Sequence, residues 1–413
     1  MKLPLQAFVI GLFAATAGAA DLSISTDFPG GSAEVLRLDS AAGRIEIAPA
    51  HHKGRGWPCW WYFRVDGAQP GQRLTLQVSA STKPFRAEQR LAAAWALPER
   101  AAISGDDIVW SHTAPGVITK DARTYEIDAP AARFWIAWGP PFLPSHAEEL
   151  LAAVAGKVPS AERFVLAKTR EGRDVNGLRI GRADAPHAVW VQARQHAWEA
   201  GSSWVGRGFL EWIASDDAAA VTLREQTEMF FIPIMDVDNV SIGAGGKEAV
   251  PRDHNRDWAD VPVYPEVAAA QARLRALAEA GRLRVFFDLH NPGPGDKRPF
   301  FYGGFGYETA PASQRHPYER FLALAVETMR GPLAIHPAYR FATYVQTDEE
   351  RERMSANWVR RRIGENGVAL TLETAWNTPH STTEGYRQVG RELAQTIARY
   401  LRELPVPKGA TKP

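Results

Sequence analysis

A chain of 413 residues is long for one domain and suits two, since domains run about 100–200 residues. Apolar residues make up 45% and charged residues 23%, and 48 Lys and Arg offset 47 Asp and Glu to a formal charge of +1. This argues against general disorder, a polytopic membrane protein, and nucleic-acid or anionic-lipid binding driven by overall charge. The single cysteine, Cys59, excludes an internal disulfide framework, a cysteine-based zinc cluster and an iron–sulfur site in the monomer, so a metal must sit on histidines and carboxylates.

The first 20 residues read as a transport signal: a positive start at Lys2, an apolar run over residues 5–13, and a small-x-small pattern at Ala17, Gly18 and Ala19. The run is shorter than the roughly 20 apolar residues a membrane span needs, and no later stretch is long enough, so an exported, periplasmic or secreted protein without stable membrane insertion is expected. Residues 21–144 carry short aromatic and β-branched runs at 60–65, 74–78 and 134–138 between Gly, Pro, Asn and Asp, the texture of an all-β sandwich. The turn at 67–71 is expected to join the first two runs as a hairpin. A proline-rich linker at 139–144 follows, and Ser145 with Glu148 predicts a capping box opening a helix that Gly156 ends.

From residue 145 to 404, apolar strands alternate with helical periods, which predicts a three-layer α/β domain. Strands are expected at 188–193, 229–234, 283–289 and 368–372, and helices at about 202–214, 265–280, 318–330, 355–365 and 384–404. Residues 405–413 are expected to be a flexible tail.

The chemistry-bearing residues follow the strands. His196 and Glu199 come just after the first, spaced to bind one ion, and His290 stands at the mouth of another. Imidazole and carboxylate suit zinc, which takes three protein ligands in catalytic sites. Asn255 beside Arg256 offers an amide and a planar guanidinium able to grip a carboxylate through two hydrogen bonds. Glu373, directly after the strand at 368–372, is placed to take a proton from water made acidic by a metal.

The motifs RQHAWEAGSSWVGRGFLEWI, IPIMDVDNV, PRDHNRDW, FFDLHNPG and TLETAW, in this order, together resemble the zinc carboxypeptidases. WPCWWYFRVDG resembles the β-sandwich domain of the cytosolic-carboxypeptidase subgroup, and the resemblance runs from about Trp57 to Leu401. It implies a mixed central sheet, one zinc ion per chain on His196, Glu199 and His290, and Asp253 holding the His196 imidazole. It also implies Asn255 and Arg256 on the C-terminal carboxylate of a peptide or protein, and Glu373 assisting attack of zinc-bound water on the last peptide bond. Relatives use an arginine to steady the developing oxyanion; here Lys247 stands near that place, with Arg252 as the alternative. Tyr344 is the candidate for the mobile tyrosine that closes over substrate.

Trp198, bulky where cytosolic carboxypeptidases have a small residue, is expected to narrow or wall the cleft. Arg360, Arg361 and Arg362 would favour acidic side chains only if one faced the pocket, and helical spacing keeps them from all pointing one way. The alternative function is a zinc amidase acting on cell-wall peptides or N-acyl amino acids on the same scaffold. A non-catalytic binding protein gives no reason for Glu373.

Overall fold

The computed structural model describes residues 21–404 apart from Phe305, so the expected transport signal at 1–20 and tail at 405–413 lie outside the described residues. Ten strands precede the linker: β1 (Ser23–Ser25), β2 (Glu34–Asp39), β3 (Arg44–Ala48), β4 (Tyr62–Asp66), β5 (Arg73–Ser79), β6 (Ala102–Ser104), β7 (Ser111–His112), β8 (Val117–Ile118), β9 (Ala122–Asp128) and β10 (Arg133–Ala137). They form two five-stranded sheets, ordered β1-β4-β10-β6-β7 and β2-β3-β5-β9-β8. Alternate residues of β5, namely Leu74, Leu76 and Val78, are buried, as are Phe63 and Val65 of β4, so each sheet turns one face to a shared core. The hairpin expected across residues 67–71 is not formed. β4 and β5 belong to different sheets, and the turn carries the chain from one layer to the other.

After the linker come α1 (Pro144–Lys157), β11 (Ala161–Lys168), β12 (Asp174–Gly181), β13 (His187–Ala193), α2 (Ala200–Ile213), α3 (Ala218–Gln226), β14 (Thr227–Ile232), α4 (Val237–Ser241), α5 (Pro265–Glu279), β15 (Leu283–His290), β16 (Phe300–Tyr302), α6 (Ala312–Thr328), α7 (Asp348–Glu352), α8 (Ser355–Arg360), β17 (Val368–Glu373) and α9 (Thr383–Glu403). The seven strands make one mixed sheet, β11-β12-β14-β13-β15-β17-β16, in which β14, β13, β15 and β17 run parallel and the outer strands antiparallel. All residues of β13, β14 and β17 are buried, because helices cover both faces.

Adjacent phenylalanines of β15 show the three layers. Phe287 packs on Phe321 of α6, which touches Tyr400 of α9, while Phe286 faces Trp258, which touches Trp358 of α8. Neighbouring side chains of a strand point to opposite faces, so α6 and α9 lie on one side and α8 on the other. Helices α2 and α9 pack so closely that a Cβ on Gly390 would meet the Val205 carbonyl oxygen at 1.8 Å.

Helix α1 starts differently from expectation. Pro144 occupies its first position, where no N–H is needed, and the Leu143 N–H donates to His146 Nδ1 at 2.9 Å. Glu148 is drawn instead to Arg163 and Asn176 of the sheet, so the Ser145–Glu148 box does not form. The helix also runs through Gly156. Helix α6 begins six residues before the expected start, passing through Pro317, and α8 stops at Arg360.

The two cores meet at tryptophans. Trp198 and Trp376, from the second half, belong to the apolar cluster of the sandwich, with Trp138 at 5.3 Å and 4.2 Å from their rings and Trp95 at 5.6 Å from Trp198.

Candidate metal centre

β13 ends at Ala193, and Arg194 then turns the chain with a left-handed φ of 65°. The turn is held by Arg194 itself: it is fully enclosed, and it donates to the Ala197 carbonyl at 2.8 Å and the Phe142 carbonyl at 3.0 Å. Burial lowers its guanidinium to about 9, opposed by the Glu199 and Asp236 carboxylates.

This loop delivers His196 and Glu199, and the last residue of β15 delivers His290. His196 Nδ1 lies 2.8 Å from Glu199 Oε1, and His290 Nδ1 lies 2.7 Å from Glu199 Oε2. All three are buried, and one ligand atom from each lies within 4.8 Å of the others. The outer nitrogens are also engaged: His196 Nε2 with Asp253 Oδ1 at 3.1 Å and His290 Nε2 with Asp288 Oδ2 at 2.9 Å. With protons on the Nε2 atoms, both Nδ1 lone pairs converge beside the Glu199 carboxylate, as in carboxylate–histidine–zinc arrangements. Two imidazoles and one carboxylate, oriented from behind and gathered at one point, fit a zinc ion. Burial works against the Glu199 carboxylate, yet His196 and His290 hold it below its ordinary range.

Glu373 ends β17 and is the register partner of His290 on β15, which sets it beside the ligands. Its side chain is buried, and Oε2 has no hydrogen-bond partner among the described residues. Burial pushes its carboxyl up to about 8, aided by Glu199 and opposed by His290 and Lys247.

A single 3-10 turn, residues His254–Arg256, holds the carboxylate-reading candidates, with Asp253 capping it by accepting from the Asn255 N–H at 2.9 Å. Asn255 faces inward: Oδ1 accepts from the Ser355 N–H at 2.9 Å, and Nδ2 lies 3.4 Å from His290 Nε2. Arg256 faces outward. It lines a cleft of about 910 Å³ with Tyr344, and its guanidinium carbon stands 6.0 Å from the Tyr344 ring centre. The opposite wall includes His51, Phe85 and Arg86 of the sandwich.

Comparison with known proteins decides the family. The zinc carboxypeptidase family (Peptidase_M14) matches residues 147–260, and the cytosolic carboxypeptidase N-terminal domain family matches residues 24–138. The chain thus carries a zinc carboxypeptidase domain preceded by a cytosolic carboxypeptidase N-terminal domain. Curated relatives include an uncharacterized protein of Zymomonas mobilis, 26% identical over 242 residues, 58% of this chain and 60% of that one. Another is cytosolic carboxypeptidase 4 of Mus musculus, 34% identical over 121 residues, which are 29% of this chain and 11% of the relative. The match thus spans less than two thirds of either relative. A metallo-carboxypeptidase from Burkholderia cenocepacia shares the fold at a TM-score of 0.78 and 21% identity, over 93% of this chain and 99% of that one. One from Pseudomonas aeruginosa, solved in complex with (2-guanidinoethylmercapto)succinic acid, does so at 0.75 and 21%, over 92% and 99%.

Within this zinc carboxypeptidase fold, the two oxyanion candidates part company. Arg252 is drawn to Asp257 at 3.0 Å, whereas Lys247 is buried with Nζ donating to Asp253 Oδ2 at 3.1 Å. Burial works against the Asp253 carboxylate, but Lys247 and His196 hold it well below its ordinary range. Trp198 does not wall the cleft. It is 1% exposed and lodged among sandwich tryptophans, because the loop between His196 and Glu199 packs toward that domain. Arg360, Arg361 and Arg362 line no part of this cleft; Arg361 pairs with Glu352 and Arg362 stacks on Trp358 at 3.8 Å.

Sequence reasoning missed three residues. Asp288, two positions before His290, also accepts from Gln195 and Ser355, and its spacing on the strand was the available signal. Arg194 gave no signal beyond following the strand. His254 is buried between Glu266 at 2.9 Å and Asp236 at 3.8 Å and stacks on Tyr264 at 3.7 Å, so it pins the turn that bears Asn255 and Arg256. Burial works against its charge, but Asp236 and Glu266 raise it to about 9.

Proposed function

We propose that the protein is a zinc-dependent carboxypeptidase that hydrolyses the C-terminal residue of peptides. The observation that carries this reading is the convergence of His196, Glu199 and His290 beside Glu373, whose Oε2 is buried and unpartnered, next to a cleft holding Arg256. Zinc in such a centre polarises a carbonyl and lowers the pKa of water from 15.7 to about 7. Glu373 takes the water proton at Oε2 and returns it to the leaving amine. Arg256 holds the terminal carboxylate of the substrate by paired hydrogen bonds, and Tyr344 closes over it. Asn255 supports the site from within, since its amide is turned toward His290 and Ser355. Lys247 supplies positive charge near the carbonyl oxygen, while Asp253 and Asp288 keep the ligand imidazoles oriented. The N-terminal sequence supports action after export.

The test is hydrolysis of a peptide library and of its C-terminally amidated counterpart by the purified protein, with products read by mass spectrometry. Release of single C-terminal residues from the free acids alone is expected. Equal turnover of both sets would reject the carboxypeptidase reading and favour an amidase.

A further inference from the structure

The glycine-rich loop that carries Lys247 is fastened to the sandwich. Trp57 N–H donates to the Lys247 carbonyl at 3.0 Å, Gly246 N–H to the Arg55 carbonyl at 2.8 Å, and Val250 N–H to the Gly54 carbonyl at 2.8 Å. The approach admits no side chains: a Cβ on Gly245 would sit 2.0 Å from the Trp57 carbonyl oxygen, and one on Gly246, which has a φ of 77°, would sit 2.6 Å from the Ala197 nitrogen. The loop is thus clamped between the sandwich and the turn bearing His196. Beyond the backbone, the Trp57 ring centre lies 5.9 Å from Lys247 Nζ. That ring is itself braced edge-on by Trp95 at 4.7 Å and Phe85 at 6.1 Å, both from the sandwich. Lys247 reaches from this ring to Asp253 Oδ2, and Asp253 Oδ1 reaches His196.

We infer that Trp57 is a positioning residue for the reaction, holding the Lys247 ammonium against Asp253 so that the sandwich acts on the metal centre through this chain of contacts. What Lys247 does there rests on the carboxypeptidase reading; that Trp57 places it does not. A cation over an indole face is favoured electrostatically, most of all where water is excluded.

The experiment compares the full-length wild type with Trp57→Leu and Trp57→Phe. Acylation of lysines by an amine-reactive reagent, read by mass spectrometry with exposed Lys168 as internal standard, reports whether Lys247 is held. In the wild type Lys247 is protected; Trp57→Leu is expected to raise its modification about tenfold, and Trp57→Phe, which keeps a π face, much less. Competition with a chelator should show zinc held about tenfold less tightly in Trp57→Leu, since a support of His196 is loosened. Peptide turnover should fall in kcat with KM unchanged. If Trp57→Leu does not fold, Trp57→Met, flexible enough to fill part of the vacated space and without a ring, carries the same measurements. Unchanged Lys247 protection in the ringless variant, or equal loss of protection in Trp57→Phe, overturns the inference. A wild type inactive on every peptide, with Lys247 protection still dependent on Trp57, would defeat the carboxypeptidase reading and leave this one standing.

Discussion

His290 and Glu373 stand in register at the ends of two parallel strands, whereas Lys247 and Arg256 ride on a loop and a 3-10 turn that the sheet does not shape. The first pair is fixed by main-chain ladders and by a core in which every residue of β17 is buried. The second is fixed by contacts made elsewhere: His254 wedged between Asp236 and Glu266, Asp253 bonded to Lys247, and the glycine loop fastened to the sandwich. His290 and Glu373 thus sit on the sheet, whereas His196 and Glu199 sit on the loop that follows β13. Lys247 and Arg256, proposed to steady charge and read substrate, depend instead on contacts outside the sheet, where side chains decide placement.

The largest expected effect is at the metal ligands. His196→Ala is expected to lose stoichiometric zinc, by elemental analysis, together with activity, because one of the three donors clustered among the described residues is gone. A fully loaded variant would put the ligands elsewhere. Glu373→Gln should keep zinc and lose about 10²–10⁴ in kcat, the contribution of a positioned proton acceptor; turnover within a few fold of wild type would remove Glu373 from the reaction. The same variant tests the pH behaviour of the zinc-free chain. Glu373 has its folded-state pKa raised from the ordinary 4.5 to about 8, so the folded chain keeps a proton that the unfolded chain releases. Its contribution is present at low pH and is lost as pH climbs from about 4.5 toward 8. Urea midpoints of chelator-treated protein should fall over that range less steeply in Glu373→Gln than in wild type; identical slopes would mean the carboxyl is not desolvated.

Moving to the loop side, Asp253→Asn should weaken zinc binding about 10- to 100-fold, the usual cost of altering a group behind a ligand histidine, while the ligands stay in place. Asp288→Asn should do the same through His290. Chelator competition compares them. A larger loss from Asp253→Asn would show that the loop side, through Lys247, bears on the metal more than the strand side does.

The same division decided what the sequence disclosed. Buried parallel strands announce themselves as apolar runs, so β13, β15 and β17 were visible in advance, with His290 and Glu373 at the ends of two and His196 on the loop after the third. Trp198 was misread as a cleft wall because its spacing within H-x-x-E says nothing about the cage of Trp95, Trp138 and Trp376, which come from positions far apart in the chain. The hairpin over residues 67–71 was misread because a turn between two strand-like runs has the same local chemistry whether the strands pair or pass to opposite sheets. Asp288 and His254 were hidden for a related reason: a buried polar residue matters through partners such as Ser355 and Glu266, and those are distant in sequence.

The smallest expected effect belongs to Tyr344. Its side chain is 55% exposed, and it meets Arg256 through a ring centre 6.0 Å from the guanidinium carbon and through a side-chain hydrogen bond. A cation–π contact at an exposed site is worth about 0.5–1 kcal/mol, so Tyr344→Ala should raise KM for peptides by about two- to fivefold. Because the ring touches neither the metal ligands nor Glu373 in this arrangement, zinc content should stay at the wild-type level. A fall in kcat as large as that of Glu373→Gln would show instead that Tyr344 moves onto the reacting carbonyl during turnover, and the loop side would then share the chemistry that the strand ends are assigned here.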